Sequence, residues 1–360
     1  MDAYSPANIV VVTGGLALPL RRLGSIQGSV HFLPTEHGVL VSQPGSIALY
    51  TNNLLTKRWQ VQVQTFLGIY RYGQAVIGGP FDNTFCLYDI RTGAMVQQVP
   101  YEGLAGVVAA RDDYILAVNP YTKVFEAIAW DGARLWSIPS EHGRVTVTNT
   151  VLLVTKEFNE ALRCVDAKTG SLLWTFSAPK TGSGAPTDRS NAMVSGFPSV
   201  AVVSDRVLVT LADFRVFALS LQTGEVLKTM RPPFVGLYLV TEKCIYFQQP
   251  FGLSEFDHRE MKEVDRTEYR EDVEPLYGGH EITANGFWLT EESVFWTTMH
   301  GAIMGVSRTQ GEGGKRTVWV DLLQNAIMPI GVPPVGYGDK LYCATKGRAS
   351  ELLCWGSGTA

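Results

Sequence analysis

The sequence predicts an all-β fold, and three observations predict it. Strand-like runs of β-branched and aromatic residues recur along the chain, while long periodic helical stretches are nearly absent. Those runs are bounded by Gly, Asn and Asp, the punctuation of tight turns. One short phrase then repeats across them. The composition agrees: 36 glycines and 11% aromatics beside only 18% charged residues suit many short strands in 360 residues. At 46% hydrophobic, the chain can bury a sizeable core.

In chain order the strand cores include Val39-Leu40-Val41, Tyr114-Ile115-Leu116, Val151-Leu152-Leu153-Val154, Arg206-Val207-Leu208-Val209, Ser293-Val294-Phe295-Trp296 and Leu341-Tyr342-Cys343. Each precedes a second strand by a short turn, and that strand runs into a turn with Asp, Thr or Gly. The repeated phrase is clearest at Cys86-Leu87-Tyr88-Asp89-Ile90-Arg91-Thr92-Gly93, Cys164-Val165-Asp166-Ala167-Lys168-Thr169-Gly170 and Phe217-Ala218-Leu219-Ser220-Leu221-Gln222-Thr223-Gly224. Looser copies are Ala127-Ile128-Ala129-Trp130-Asp131-Gly132 and Ser254-Glu255-Phe256-Asp257 with His258-Arg259-Glu260-Met261. The physics is local. A strand ends, an Asp or Ser side chain caps the turn, and Gly takes the positive φ that closes it. The next strand then opens with an apolar or Trp side chain on its packing face.

This phrase resembles the PQQ-like, quinoprotein-type β-propeller repeat, a strand followed by A-L-D-x-x-T-G-x-x-x-W. Trp136 and Trp174 match its Trp position, Trp59 and Trp319 occupy comparable sites, and Gln97 and Lys228 stand where Trp would be expected. The resemblance spans nearly the whole chain and implies an eight-bladed β-propeller of four-stranded antiparallel blades. Strand cores near Leu49, Leu87, Ala127, Val165, Ala218, Glu255, Gly305 and Leu353 mark eight copies, about 45 residues each. Seven blades is the alternative, if Gly301–Val320 and the terminal pieces merge. The last unit, Gly331 to Trp355, stops short of a final strand. An orphan strand at Ile9-Val10-Val11-Val12, within Asn8–Thr13, would complete it and remove an open edge. Residues 1–360 then form a single domain.

Several function classes are excluded or unsupported. A net charge of −4 rules out nucleic-acid binding by bulk electrostatics. No apolar run reaches the roughly 18 residues of a spanning helix. An acid follows Met1, and Arg21 and Arg22 come after the short apolar run, the wrong order for a signal peptide. The expected location is therefore cytoplasmic or virion-associated. Five cysteines without CxxC spacing read as buried thiols, although Cys343 and Cys354 fall on consecutive strands and are candidates to face each other. There is no GxxxxGK[ST], HExxH or G-x-S-x-G, and Met193-Val194-Ser195-Gly196 reads as a turn. His31, His37, His142, His258, His280 and His300 show no ligand spacing. No catalytic residue, metal or cofactor is assigned.

The resemblance also brings in quinoprotein dehydrogenases, which pair adjacent cysteines with a catalytic Asp and calcium-binding carboxylates. This chain has no Cys-Cys pair, and Asp82, Glu157 and Asp188 do not match that motif. The outer-membrane assembly lipoproteins of Gram-negative bacteria resemble it as eight-bladed scaffolds, but carry a signal and a lipidated Cys near the start.

Two connections are long, Ala178 to Met193 and Asp265 to Glu281. Both join an outer strand to the next inner strand, so they share a face, and binding is expected there. The binding candidates are Tyr70, Tyr72, Asp188, Arg189 and His280, for a small molecule or glycan. Glu268, Glu271, Asp272 and Glu274 read as a solvated acidic loop, and Thr309–Arg316 as a flexible turn on the opposite face. The leading expectation is a non-catalytic scaffold mediating protein–protein interaction in a larger assembly, such as a structural component of a phage or virus particle. Ligand binding on the long-loop face is the alternative, and a PQQ-type dehydrogenase the second alternative.

Overall fold

The computed structural model describes residues 14, 16–28, 31–63, 69–81, 83–103, 105–119, 121–140, 145–155, 161–179, 200–211, 215–232, 238–249, 251–277, 284–298, 302–322, 334–345 and 350–357. The strands among them form eight four-stranded antiparallel sheets arranged as the blades of a propeller. In chain order, blades 1 to 7 cover residues 31–62, 69–100, 106–139, 145–177, 200–230, 238–268 and 284–322. Blade 8 combines residues 335–357 with Leu20–Gln27. Each of the eight sequence cores lies on the third strand of its blade. The Gly301–Val320 region and the terminal pieces build separate sheets, blades 7 and 8. No helix among the described residues is long and apolar enough to cross a membrane.

Within a blade the first strand is innermost and the fourth outermost, and burial follows that order. Val151–Thr155, a second strand, is buried at every residue, whereas the outer strand Arg134–Pro139 has no buried residue. Hydrophobic residues gather between blades. One cluster joins Leu153, Cys164 and Trp174 of blade 4 to Val207, Val209 and Phe217 of blade 5. Equivalent clusters fill the interfaces around the ring, and the largest spans blades 6, 7 and 8. Each fully buried aliphatic side chain there contributes about 1.5–3 kcal/mol.

The repeated phrase builds a lock between neighbouring blades. Asp89 Oδ1 accepts hydrogen bonds from the backbone N–H groups of Arg91 and Thr92, and Asp166 Oδ1 does the same for Lys168 and Thr169. Gly93, Gly170 and Gly224 close these turns at φ near +70°. The outer-strand Trp of the preceding blade lies flat on each: Trp59 on Gly93, Trp136 on Gly170, Trp174 on Gly224. A Cβ on Gly224 would come within 2.7 Å of the Trp174 ring. The indole N–H of Trp59 donates to Ile90 O at 2.8 Å, and that of Trp174 to Leu221 O at 3.0 Å.

Three expectations are corrected. Blade 8 is completed by Leu20–Gln27, which pairs with Glu351–Ser357 from Leu20 opposite Ser357 to Gln27 opposite Glu351. The strand expected at Asn8–Thr13 lies outside the described residues. Leu20–Gln27 is inconspicuous because, as an outer strand, it exposes Arg21, Arg22, Ser25 and Gln27. The acidic connection after blade 6 is partly helical, Arg270–Tyr277. Its Val273 is fully buried, Arg270 lies over the Phe251 ring at 4.2 Å, and Asp272 accepts a hydrogen bond from the Arg316 backbone. Cys343 and Cys354 do not face each other. Cys343 pairs with Leu353 and Cys354 with Tyr342, so their side chains point to opposite faces and enter different cores.

Gly224→Ala and Gly313→Ala separate the lock from backbone strain, because both glycines sit near φ +75° but only Gly224 meets a ring. Urea unfolding is expected to show Gly224→Ala costing about 2 kcal/mol more than Gly313→Ala.

Candidate interaction surface

The fourth strands carry a second regularity. In blades 2 to 6 the residue immediately before the Trp position is skipped in the pairing: Val96, Leu135, Leu173, Leu227 and Val264 each sit in a β-bulge. A bulge sets two residues against one, so the extra side chain leaves the packing face. All five are large hydrophobics, and with Met95, Leu172 and Val226 they are 44–59% exposed. The remaining large exposed hydrophobics among the described residues, Leu55 and Tyr121, lie in turns. The result is a belt of exposed apolar side chains, one or two on the outer strand of each of five consecutive blades.

Beside the belt, between blades 2 and 3, is an open recess of about 530 Å³. Tyr72, Gln74, Leu87, Asp89, Val96 and Asp112 are among its lining residues. The Tyr72 hydroxyl donates to Asp112 Oδ1 at 2.9 Å, and its ring packs on Trp130 at 5.1 Å between centroids. Burial raises the Tyr72 hydroxyl pKa, and the bond to Asp112 and the charges of Asp112 and Asp113 raise it further. The phenol therefore stays a neutral donor.

Next to the recess the first hairpins of blades 1 and 2 are joined by a polar network. Arg71 donates from both terminal nitrogens to Glu36, at 2.6 and 2.8 Å, and Gln74 donates to the same carboxylate at 3.2 Å. His37 Nε2 lies 2.8 Å from Gln74 Oε1. Burial pulls the Glu36 carboxyl upward, but the Arg71 hydrogen bonds and charge, its own backbone N–H and Gln74 outweigh burial and hold it at about 2.

Of the expected binding residues, Tyr70 and Tyr72 share the first strand of blade 2, where Tyr70 pairs with Ile77 and Tyr72 with Ala75. Tyr72 adjoins the tight turn at Gly73, the end of the blade opposite the connection that enters the strand. The grouping of Tyr72 with the long-loop face is thus corrected, since antiparallel strands place successive turns at alternating ends. Asp188, Arg189 and His280 lie outside the described residues, as do Asp82 and Glu157. Glu36, Gln74, Asp112 and Trp130 were not anticipated. Each is an ordinary turn residue, and only the ring closure of three blades brings them together.

Among the described residues no group of three His, Cys, Asp or Glu side chains is placed to hold a metal ion. Burial pushes the thiols of Cys164, Cys244, Cys343 and Cys354 up to about 12, so they are not thiolate nucleophiles near neutral pH.

The network sets a pH test. A carboxyl depressed in the fold stabilises it above the unfolded value near 4.5 and loses that contribution as pH falls toward 2. Glu36 is partly exposed, so the pair is worth about 1 kcal/mol after screening. Arg71→Met is expected to cost that amount in denaturant unfolding at pH 7 and almost nothing at pH 2.

Similarity to known proteins agrees with this architecture. The family model described as outer membrane protein assembly factor BamB matches residues 51–230. Among curated proteins none matches the chain. BamB from Moraxella catarrhalis is similar in structure at a TM-score of 0.62 and 13% identity, covering 94% of this chain and 100% of that one. The computationally designed Ika8 protein aligns at TM-score 0.60 and 12% identity, over 92% and 98%. A quinohemoprotein alcohol dehydrogenase from Pseudomonas putida HK5 aligns at TM-score 0.60 and 9% identity, over 95% and 77%. At such identities these structures speak for the fold alone. With half of its length matched by the family model, the chain belongs to the PQQ-like β-propeller family of outer membrane protein assembly factor BamB.

Proposed function

We propose that this chain is a non-catalytic propeller scaffold, one domain over residues 1–360, that holds partner proteins in a larger assembly. The observation that carries this reading is the apolar belt on blades 2 to 6. A folded chain gains nothing by displaying Val96, Leu173 and Leu227 to water, and extended apolar surface is the mark of a protein-binding site. The bulges that display these side chains also distort the outer edges and oppose indiscriminate strand addition. Recognition then falls to side chains. Membership of a family described by an assembly factor supports the same coarse reading.

A second reading, small-molecule or glycan binding, draws on the recess, where Tyr72 and Trp130 offer aromatic surface and Asp112 a carboxylate. A quinone cofactor needs a cation held by convergent carboxylates to polarise its carbonyls. The described residues offer no such set.

Native mass of the untagged protein from its own source tests the scaffold. A homogeneous particle well above 39.5 kDa with defined co-purifying chains is expected, and those chains tell a cellular complex from a virus particle. A clean monomer sinks the reading. The double variant Leu172→Glu, Leu173→Glu is expected to change stability by no more than about 0.5 kcal/mol for each exposed substitution, yet weaken partner binding about tenfold or more. Full retention of the partner would take the belt out of the interface.

A further inference from the structure

We infer that one buried water molecule, bonded by Trp296, Tyr269 and Gln248, pins the helical connection onto blades 6 and 7. A narrow recess with room for about 10 Å³ of water-sized space lies between these blades, with all three side chains among its lining. Trp296 and Tyr269 are each 2% exposed and Gln248 8%. Trp296 Nε1, the Tyr269 hydroxyl and Gln248 Oε1 are buried and have no hydrogen-bond partner among the described residues. Three unmet polar atoms on side chains that line one recess would be costly, because each forfeits its hydration on burial. Their chemistry is complementary to a single small molecule. The indole N–H only donates, the amide oxygen only accepts, and the phenol does both.

Size and charge narrow the occupant to water. The volume matches about one water, and three polar partners are what a buried water typically finds. Two guanidinium groups lie over rings of the cavity wall, Arg270 over Phe251 at 4.2 Å and Arg316 over Tyr269 at 5.8 Å, and they repel a cation. The Gln248 carbonyl oxygen repels a halide. Water accepts from Trp296 and donates to Gln248, and Tyr269 completes the set. The placement matters because each partner comes from a different element. Gln248 is the penultimate residue of the second strand of blade 6, Trp296 lies in the second strand of blade 7, and Tyr269 leads into the Arg270–Tyr277 helix.

A crystal structure of the full chain, grown with bromide in place of chloride, tests this. A water-sized peak within about 3.2 Å of all three atoms, with no bromine anomalous signal, is expected. An empty cavity overturns the inference, and so does an anomalous peak there. Tyr269→Phe provides a second readout in the same buffer. Removing a hydroxyl bonded to water is expected to lower Tm by about 1–2 °C in a chain of this length. An unchanged or higher Tm means the hydroxyl was unsatisfied and counts against the water.

Discussion

The ring depends on one contact, the outer-strand side chain of a blade laid on the closing turn of the next, an aromatic in its full form at Trp59, Trp136 and Trp174. The turn supplies a residue with no side chain above it and a backbone carbonyl two or three positions earlier. The indole supplies a flat face and one N–H. Burying the ring gives the contact its energy, and the hydrogen bond gives it register. Because the turn is itself fixed by the Asp89- and Asp166-type caps, the local phrase and the inter-blade geometry are encoded by the same few residues.

The degenerate copies show which part of the lock is retained. Gln97 stands in the Trp position of blade 2, and its Nε2 reaches Trp130 O, the carbonyl equivalent to Ile90 and Leu221. Lys228 of blade 5 bonds the Glu260 carboxylate at 2.7 Å and lies 3.5 Å from its carbonyl. Here Met261 takes the positive φ that glycine holds elsewhere. In blade 3 the ring of Trp136 sits on Gly170, but the Tyr114 hydroxyl donates to Ala167 O at 2.6 Å, so the indole N–H loses that acceptor. In these blades the donor or the ring varies while a long side chain still crosses to the neighbouring turn.

Legibility in the sequence follows from this logic. The third strands and their turns were readable because capping residue, glycine and aromatic recur at fixed spacing. Leu20–Gln27 was not, because an outer strand buries one face only and Arg21-Arg22 looks like linker. The helix Arg270–Tyr277 is hard to read because eight residues that mix acidic side chains with Pro275 are too short to show a period. The water-bonding trio is drawn from three elements that no local pattern connects. Tyr70 and Tyr72 stand out by residue type, but no local pattern shows that Arg71 between them grips Glu36 on the previous blade.

The lock also explains why the rim is informative. It dictates only the side chain that crosses to the next turn, so the bulged residue before it answers to no internal requirement. Blade 1 places Arg58 at that bulge, where its guanidinium donates to His37 O at 2.7 Å. In blade 8 the bulged residue is Leu23, half-buried against the core between blades 8 and 1. Blades 2, 4 and 5 place paired exposed apolar residues in the corresponding stretch, and blades 3 and 6 a single one. The same structural position is thus polar in blade 1, apolar but half-buried in blade 8, and apolar and exposed along blades 2 to 6. On the proposed scaffold reading, that exposed arc is the one a partner would cover.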